Sequence, residues 1–172
     1  MENNEYRFCL AEQEDAEKIA GLMHEVHEGM KNQDHFVCDD LDYVRRHIEE
    51  EGFILLAKDR SGMVAGLLII HIPGNGEENL GRDIGLAEKD WEHVAHMESA
   101  VVHPCARGRH LQTRLLLEAE TILEKKGYVI LLATVHPENL PSRRSLEKAG
   151  FHLVVMKEKY GGLLRAIMAK AL

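Results

Sequence analysis

The amino-acid sequence predicts one α/β domain, a mixed central sheet of about seven strands with helices on both faces. Three observations carry this prediction. Apolar runs of strand length alternate with segments of helical spacing; their order is strand, two helices, three strands, helix, strand, helix, two strands; and no internal repeat or low-complexity tract interrupts it. A sheet and an amphipathic helix each need a partner layer to bury their apolar side, so this order calls for a layered solution. With 172 residues, 45% of them hydrophobic, residues 1–172 supply one sizeable core and are read as a single domain.

The elements follow in turn. Tyr6 to Leu10 alternates weakly, as a first strand. From Glu12, the positions Ala16, Ile19, Ala20 and Met23 have helical spacing behind an acidic start that suits the helix dipole. A second helix spans Asp39 to Glu50, with Leu41, Val44 and Ile48 on its apolar side, and Gly52 ends it. Phe53 to Ala57 and Met63 to Ile72 form a hairpin across the turn residues Asp59-Arg60-Ser61-Gly62. The Gly-punctuated stretch from Pro73 to about Asp90 reads as a loop with a short helix near Leu86. His93 to His103 is the next strand, stopped by Pro104. A helix follows on Leu111, Leu115, Leu116, Ala119, Ile122 and Leu123 and stops at Gly127. Tyr128 to Val135 is an almost continuously apolar, central strand. A helix over Leu140 to Ala149 ends at Gly150, and Phe151 to Lys157 and Leu163 to Lys170 are the last two strands.

Composition narrows the function classes. The longest apolar run, Val64 to Ile72, is far shorter than the roughly 20 residues that cross a bilayer. The acidic, polar start lacks the pattern of an export signal, so a cytoplasmic location without membrane partners is expected. Cys9, Cys38 and Cys105 are odd in number and scattered, which argues against a disulfide framework; Cys105 alone stands where it could react. Residues 1–98 hold 23 acidic against 9 basic side chains, residues 99–172 hold 6 against 12. Such a division would draw a poly-anionic cofactor to the second half and a cationic substrate to the first, or it distributes solubilising charge unevenly. An acidic total with few aromatic residues disfavours nucleic acid as a partner.

The strand, Pro104, the segment from Arg107 to Gln112 and the following helix form an arrangement that can hold phosphate. The first N–H groups of a helix are unpaired and its dipole is positive there, so a diphosphate can accept several main-chain hydrogen bonds. Arg107, Arg109 and Arg114 add charge. The segment is neither a Walker loop nor a Gly-x-Gly-x-x-Gly fingerprint, and many helix starts carry Gly and Arg without a ligand. Eleven histidines invite a metal reading, but His24 with His27 and His93 with His96 offer only two donors each, so no metal is expected.

The run Ser99-Ala100-Val101-Val102-His103-Pro104-Cys105-Ala106-Arg107-Gly108-Arg109-His110-Leu111-Gln112-Thr113-Arg114 resembles the cofactor motif of the GNAT acetyltransferase superfamily. Thr134 to Ser142, with Asn139, and then Leu146-Glu147-Lys148-Ala149-Gly150-Phe151 are similar to that superfamily's later Asn and Gly-Phe signature. The resemblance implies an acyl-CoA N-acyltransferase-like splayed sheet and an enzyme that uses acetyl-CoA to acetylate an amine. It implies that Val101 and Val102 offer free backbone groups to the pantetheine arm. Arg107, Gly108, Arg109, His110, Leu111 and Gln112, continuing into Thr113, would wrap the pyrophosphate. Asn139 would hydrogen-bond the cofactor arm or hold the loop, and Ser142 and Arg143 would start the helix that flanks its thiol end. Two departures stand out: His110 and Gln112 replace the usual Gly or Ala, and Leu146 stands where many members place a tyrosine that protonates the leaving thiolate.

An alkylammonium of pKa about 10 is neutral only to about one part in a thousand at pH 7, so direct attack in a ternary complex needs a route for its proton. Glu98 is the candidate base, against the alternative of a paired or solvent-facing strand carboxylate. His96, two residues earlier and on the same side of a regular strand, is a candidate relay or a packed histidine. Tyr160 is the candidate substitute for the missing acid, although thiolate is a fair leaving group unaided. Trp91 and Phe36 are cleft walls or packing anchors. Glu25, Glu28, Asp34, Asp39, Asp40 and Asp42 form a field suited to a cationic small-molecule or peptide amine, or they are solvated charges. A non-catalytic acyl-CoA sensor is the alternative that Leu146 keeps open. An ATP-dependent transferase would need the metal-binding Ser or Thr that the loop lacks. The apolar ending Leu163 to Leu172 permits a homodimer, or fills a sheet interior.

Overall fold

The computed structural model describes residues 5–172. Its strands are β1 (Tyr6–Leu10), β2 (Gly52–Asp59), β3 (Val64–His71), β4 (Val94–Val102), β5 (Ile130–Val135), β6 (His152–Lys159) and β7 (Leu163–Ala171). Its helices are α1 (Ala16–Glu28), α2 (Leu41–Glu49), α3 (Leu111–Lys125) and α4 (Leu140–Lys148). The order of elements is the one the sequence predicts, and the seven strands form one sheet in the order β1-β2-β3-β4-β5-β7-β6. Among the described residues only β4 and β5 run parallel.

Differences at element ends have local causes. The first helix begins at Ala16 rather than near Glu12, because Glu12 and Asp15 form a reciprocal cap over a 3₁₀ turn, Gln13–Asp15. The short helix expected near Leu86 lies later, as a 3₁₀ segment over Glu88–His93. Strand β5 starts at Ile130 rather than Tyr128, since Gly127 takes φ +88° and the Tyr128 N–H donates back to the Leu123 carbonyl at 3.1 Å to close α3. The apolar C-terminal run lies inside the sheet, between β5 and β6, and β6 is the exposed edge.

Two apolar layers sandwich the sheet. Leu111, Leu115, Leu116 and Leu123 of α3 and Leu146 of α4 pack against one face with Leu68, Ile70 and Met97. Ile19 and Met23 of α1 and Val44 of α2 cover the other with Ile54, Leu67, Ile69 and Val101. Gly66 lets α3 sit close: a Cβ there would lie 3.2 Å from both Leu111 Cδ2 and the Val101 carbonyl. This close seat fixes the start of α3 against the end of β4.

Strand β4 carries two irregularities that make the site. It pairs with β5 only from Val94 to His96. Beyond that point Ala133 to Val135 pair with β7, and Ser99 to Val102 pair with β3, so the two parallel strands diverge. The register with β3 also slips: Ile70 opposes Met97 and Ile69 opposes Ser99, which leaves Glu98 as the extra residue of a β-bulge. The bulge exchanges the faces of everything after it. Ala95 and Met97 belong to the α3 side, and so do Ala100 and Val102, whereas Val101 joins the α1 and α2 side.

Candidate active site

A cleft of about 930 Å³ opens where β4 and β5 part. One end is built mainly of backbone. Between Pro104 and α3 the chain turns through Gly108 at φ +77° and His110 at φ +55°, both in the left-handed region. His110, at a position where the resemblance anticipates Gly or Ala, therefore adopts a conformation strained for a side-chain-bearing residue. The turn brings Arg107, Gly108, His110, Leu111 and Gln112 to the cleft wall. Helix α3 has no side-chain cap, and its first internal bond runs from the Arg114 N–H to the His110 carbonyl, which leaves the N–H groups just before Arg114 available to an anion.

Helix α4 closes the same end. Asn139 caps it by accepting from the Ser142 N–H at 3.4 Å, and Ser142 Oγ accepts from Gln112 Nε2 at 3.0 Å, which ties the two helix starts together. Asn139 and Ser142 line the cleft. Arg143 does not; it pairs with Glu147 at 3.5 Å. Arg144 and Lys148 line it instead, cations that sequence reasoning passed over although their spacing of four places them on one helix face. Arg109 is turned to Glu5 and to the Tyr6 hydroxyl, and Thr113 also lies outside the lining.

The other end is built of side chains from separate segments. The bulge turns Glu98 into the cleft, where its side chain keeps 22% exposure and so remains reachable. Burial raises its carboxyl above the usual range, while the nearby His71 ring and a hydrogen bond from Tyr43 oppose that shift. Asp39, from the segment before α2, accepts from Ser99 Oγ at 3.1 Å. Burial, together with the charges of Glu98 and Asp40, lifts Asp39 to about 6 despite that hydrogen bond. Of the acidic field before and within α2, Asp39 lines the cleft while Glu25, Glu28, Asp40 and Asp42 do not. Tyr160, at φ +52° in the β6–β7 turn, places its hydroxyl 2.9 Å from Thr134 Oγ1, and burial and the Glu98 charge push it up to about 12.

His96 stands behind Glu98 rather than in the cleft. Its Nδ1 is 3.9 Å from the Glu98 carboxylate and its Nε2 accepts from the Leu80 N–H at 3.2 Å. Burial depresses its pKa to about 3, so the ring stays neutral. Leu146, at the position where a tyrosine was anticipated, is 4% exposed and packs in the core beneath α3. Trp91 anchors its own loop through Nε1 to the Leu86 carbonyl at 3.2 Å, while Phe36 lines the cleft.

Two histidine groups approach metal-ligand spacing, His35 with His136 and Glu138, and His47 with Glu51 and His71. The His35 and His136 rings are stacked at 4.4 Å with 28° between their planes, which sends their lone pairs along near-parallel planes. His47 Nε2 and His71 Nδ1 are in direct hydrogen-bond contact at 2.9 Å. Cys9, Cys38 and Cys105 are free thiols, and Cys105 is exposed beside the loop. No helix among the described residues is long and apolar enough to cross a membrane.

An uncapped helix start and the gap between two diverging parallel strands thus belong to one cleft. The model of the Acetyltransferase (GNAT) family matches residues 16–151, and the chain belongs to that family. It is accordingly an N-acetyltransferase with acetyl-CoA as cosubstrate. No curated protein matches it by sequence. Solved structures share the fold. The chain is similar to yncA of Salmonella typhimurium, solved with its cofactor acetyl-CoA, at 19% identity and TM-score 0.70 over 97% of this chain and 94% of that one. A ribosomal-protein-alanine N-acetyltransferase from Brucella melitensis matches at 19% and 0.71, over 96% and 99%. A GCN5-related N-acetyltransferase from Kribbella flavida matches at 18% and 0.73, over 98% of each chain.

Proposed function

We propose that this cleft transfers the acetyl group of acetyl-CoA to a primary amine of a small molecule or peptide by direct attack in a ternary complex. The observation that carries the reading is the placement of Glu98, bulged out of β4 at the inner end of the strand gap whose outer end is the α3 cradle. The diphosphate lies on the main-chain N–H groups from Gly108 to Thr113, and Arg107, Arg144 and Lys148 supply charge. The pantetheine arm pairs with the free edge of Val101 and Val102 as an added strand. Its thioester then meets Glu98, Asp39 and Tyr160.

In this arrangement the amine nitrogen forms a bond to the thioester carbonyl carbon, and its proton passes to Glu98. The carbon–sulfur bond then breaks and thiolate leaves. A raised carboxyl pKa suits a base that must both accept and return a proton near neutrality. His96 Nδ1–H, fixed by the Leu80 contact at Nε2, supports a part in orienting Glu98 rather than in carrying charge. Tyr160, protonated at neutral pH, can donate a hydrogen bond to the departing sulfur. The burial of Leu146 gives a packing reason for the missing tyrosine. The single-domain reading places all of this in one unit, working in the cytoplasm. A homodimer would form on the β6 edge, where Leu153, Val154 and Met156 are exposed.

The test measures acetyl transfer across a panel of primary amines, with calorimetric titration of acetyl-CoA. Glu98→Gln is expected to lower turnover about 100-fold or more at neutral pH with CoA affinity unchanged. A wild-type protein that binds acetyl-CoA yet acetylates no amine would instead support the sensor.

A further inference from the structure

Arg165 of β7 lines the acceptor end of the cleft and is only 3% exposed. A guanidinium carries five N–H donors. Here Nη1 donates to the Leu164 carbonyl at 3.0 Å and Nη2 to the Asp34 carbonyl at 2.5 Å, both neutral acceptors. Among the described residues no carboxylate reaches it within ion-pair distance; the Asp34 side chain acts on it only from farther off. A buried cation without a paired anion is strongly disfavoured unless something supplies the charge. Beside it, His35 also lines the cleft, and its Nε2 is buried without a hydrogen-bond partner.

The same cleft holds groups of the reverse character, Asp39 and Glu98, together with Tyr43. Tyr160 is close to both sets: the Arg165 guanidinium carbon lies 5.9 Å from the centre of its ring, and its hydroxyl feels the charges of Glu98, Arg165 and Asp39. An acceptor that carries both a cationic and an anionic group would therefore find partners for each in one cleft.

We infer that the acceptor is an amino acid, held by its carboxylate on Arg165 and His35 while its amino group faces Glu98 and Asp39. The inference rests on the proposed acetyl transfer and narrows its acceptor from any cationic amine to a zwitterion. The carboxylate provides the missing counter-charge and fixes the nitrogen toward the base. A peptide N-terminus or a simple alkylamine leaves Arg165 unpaired.

The experiment compares α-amino acids with their amides and with their decarboxylated amines as acceptors, at saturating acetyl-CoA. The free acids are expected to exceed the other two by about 10- to 100-fold in kcat/KM, mostly through KM, the range of a charge-assisted hydrogen bond. Arg165→Gln should erase that preference, bringing kcat/KM for the free acids level with that for the amides, and Arg165→Lys should restore part of it. Because Arg165 sits within the sheet, His35→Ala from the loop serves as a second variant and should reduce the preference several-fold. Equal rates for acids, amides and amines on the wild-type enzyme would overturn the inference while leaving acetyl transfer intact. Bound acetyl-CoA with no transfer to any of the three would overturn both.

Discussion

The two ends of the cleft are built by different means. At the α3 end the donors are mostly main-chain N–H groups, set by one continuous turn of left-handed residues, Gly108 and His110. At the other end Asp39, Glu98, Tyr160 and Arg165 arrive from four separate segments, and each is a side chain whose charge depends on its neighbours. A backbone site tolerates changes of side chain but not of backbone conformation. A side-chain site tolerates neither a charge change nor a shift of register. The cofactor end should therefore respond to substitutions that alter φ, and the acceptor end to isosteric changes of charge.

The largest expected effect lies at the acceptor end. As the proposed base Glu98 would act only when deprotonated, and its raised pKa would move that requirement upward, so wild-type kcat/KM is expected to fall as pH drops through the raised value. In Glu98→Gln that limb should vanish and leave the titration of the amine alone, with the deficit greatest between the raised Glu98 value and the pKa of the amine and narrowing as pH falls, where the wild-type carboxyl is itself protonated. Coincident pH profiles for the two proteins would remove Glu98 from the proton path. At the cofactor end, Gly108→Val forces a β-branched residue to φ +77° and should weaken acetyl-CoA binding about 10-fold or more, with kcat at saturation little changed. Calorimetry checks it, and unaltered affinity would show that the diphosphate does not rest on this turn.

How much could be read in the sequence follows the same division. The turn is contiguous, so the bend from Arg107 to Gln112 and the helix after it were legible locally, as was the helix start at Asn139 and Ser142. The element order was legible for the same reason, because strand and helix periods are short-range. The bulge at Glu98 was not, since it exists only as a slip between β3 and β4. Nor was the insertion of β7 between β5 and β6, which turned an apolar C-terminus from a possible edge into an interior strand. Asp39 and Arg165 are 126 residues apart and meet only through the closed sheet. Glu98, read as a strand carboxylate of either role, needed that slip to be aimed at the cleft.

A smaller effect separates the charge of Asp39 from its hydrogen bond. Its pKa rises from 3.8 to about 6, so the folded protein holds a proton that the unfolded chain has released between those values. Stability on this account is fully present below pH 3.8 and declines as pH rises through about 6. Asp39→Asn keeps an acceptor for Ser99 and removes the buried charge. It should stabilise the fold by about 1 to 2 kcal/mol at pH 8, after allowance for partial exposure, and by nothing near pH 3.5. Denaturant unfolding at the two pH values measures the difference, and a gain independent of pH would place its source elsewhere than in this titration.

The smallest effect tests whether the strain at His110 serves the cradle or is merely tolerated. A residue with Cβ at φ +55° is disfavoured by about 1 to 2 kcal/mol, whereas Gly adopts that angle freely but adds disorder to the unfolded chain. His110→Gly should therefore stabilise by about 0.5 to 1 kcal/mol, with acetyl-CoA affinity within about two-fold of wild type, because the contacts attributed to this turn are main-chain. A fall in affinity beyond that would mean that the imidazole itself touches the cofactor. The strained side chain would then belong to the ligand site, and the cradle would share the side-chain logic of the opposite end.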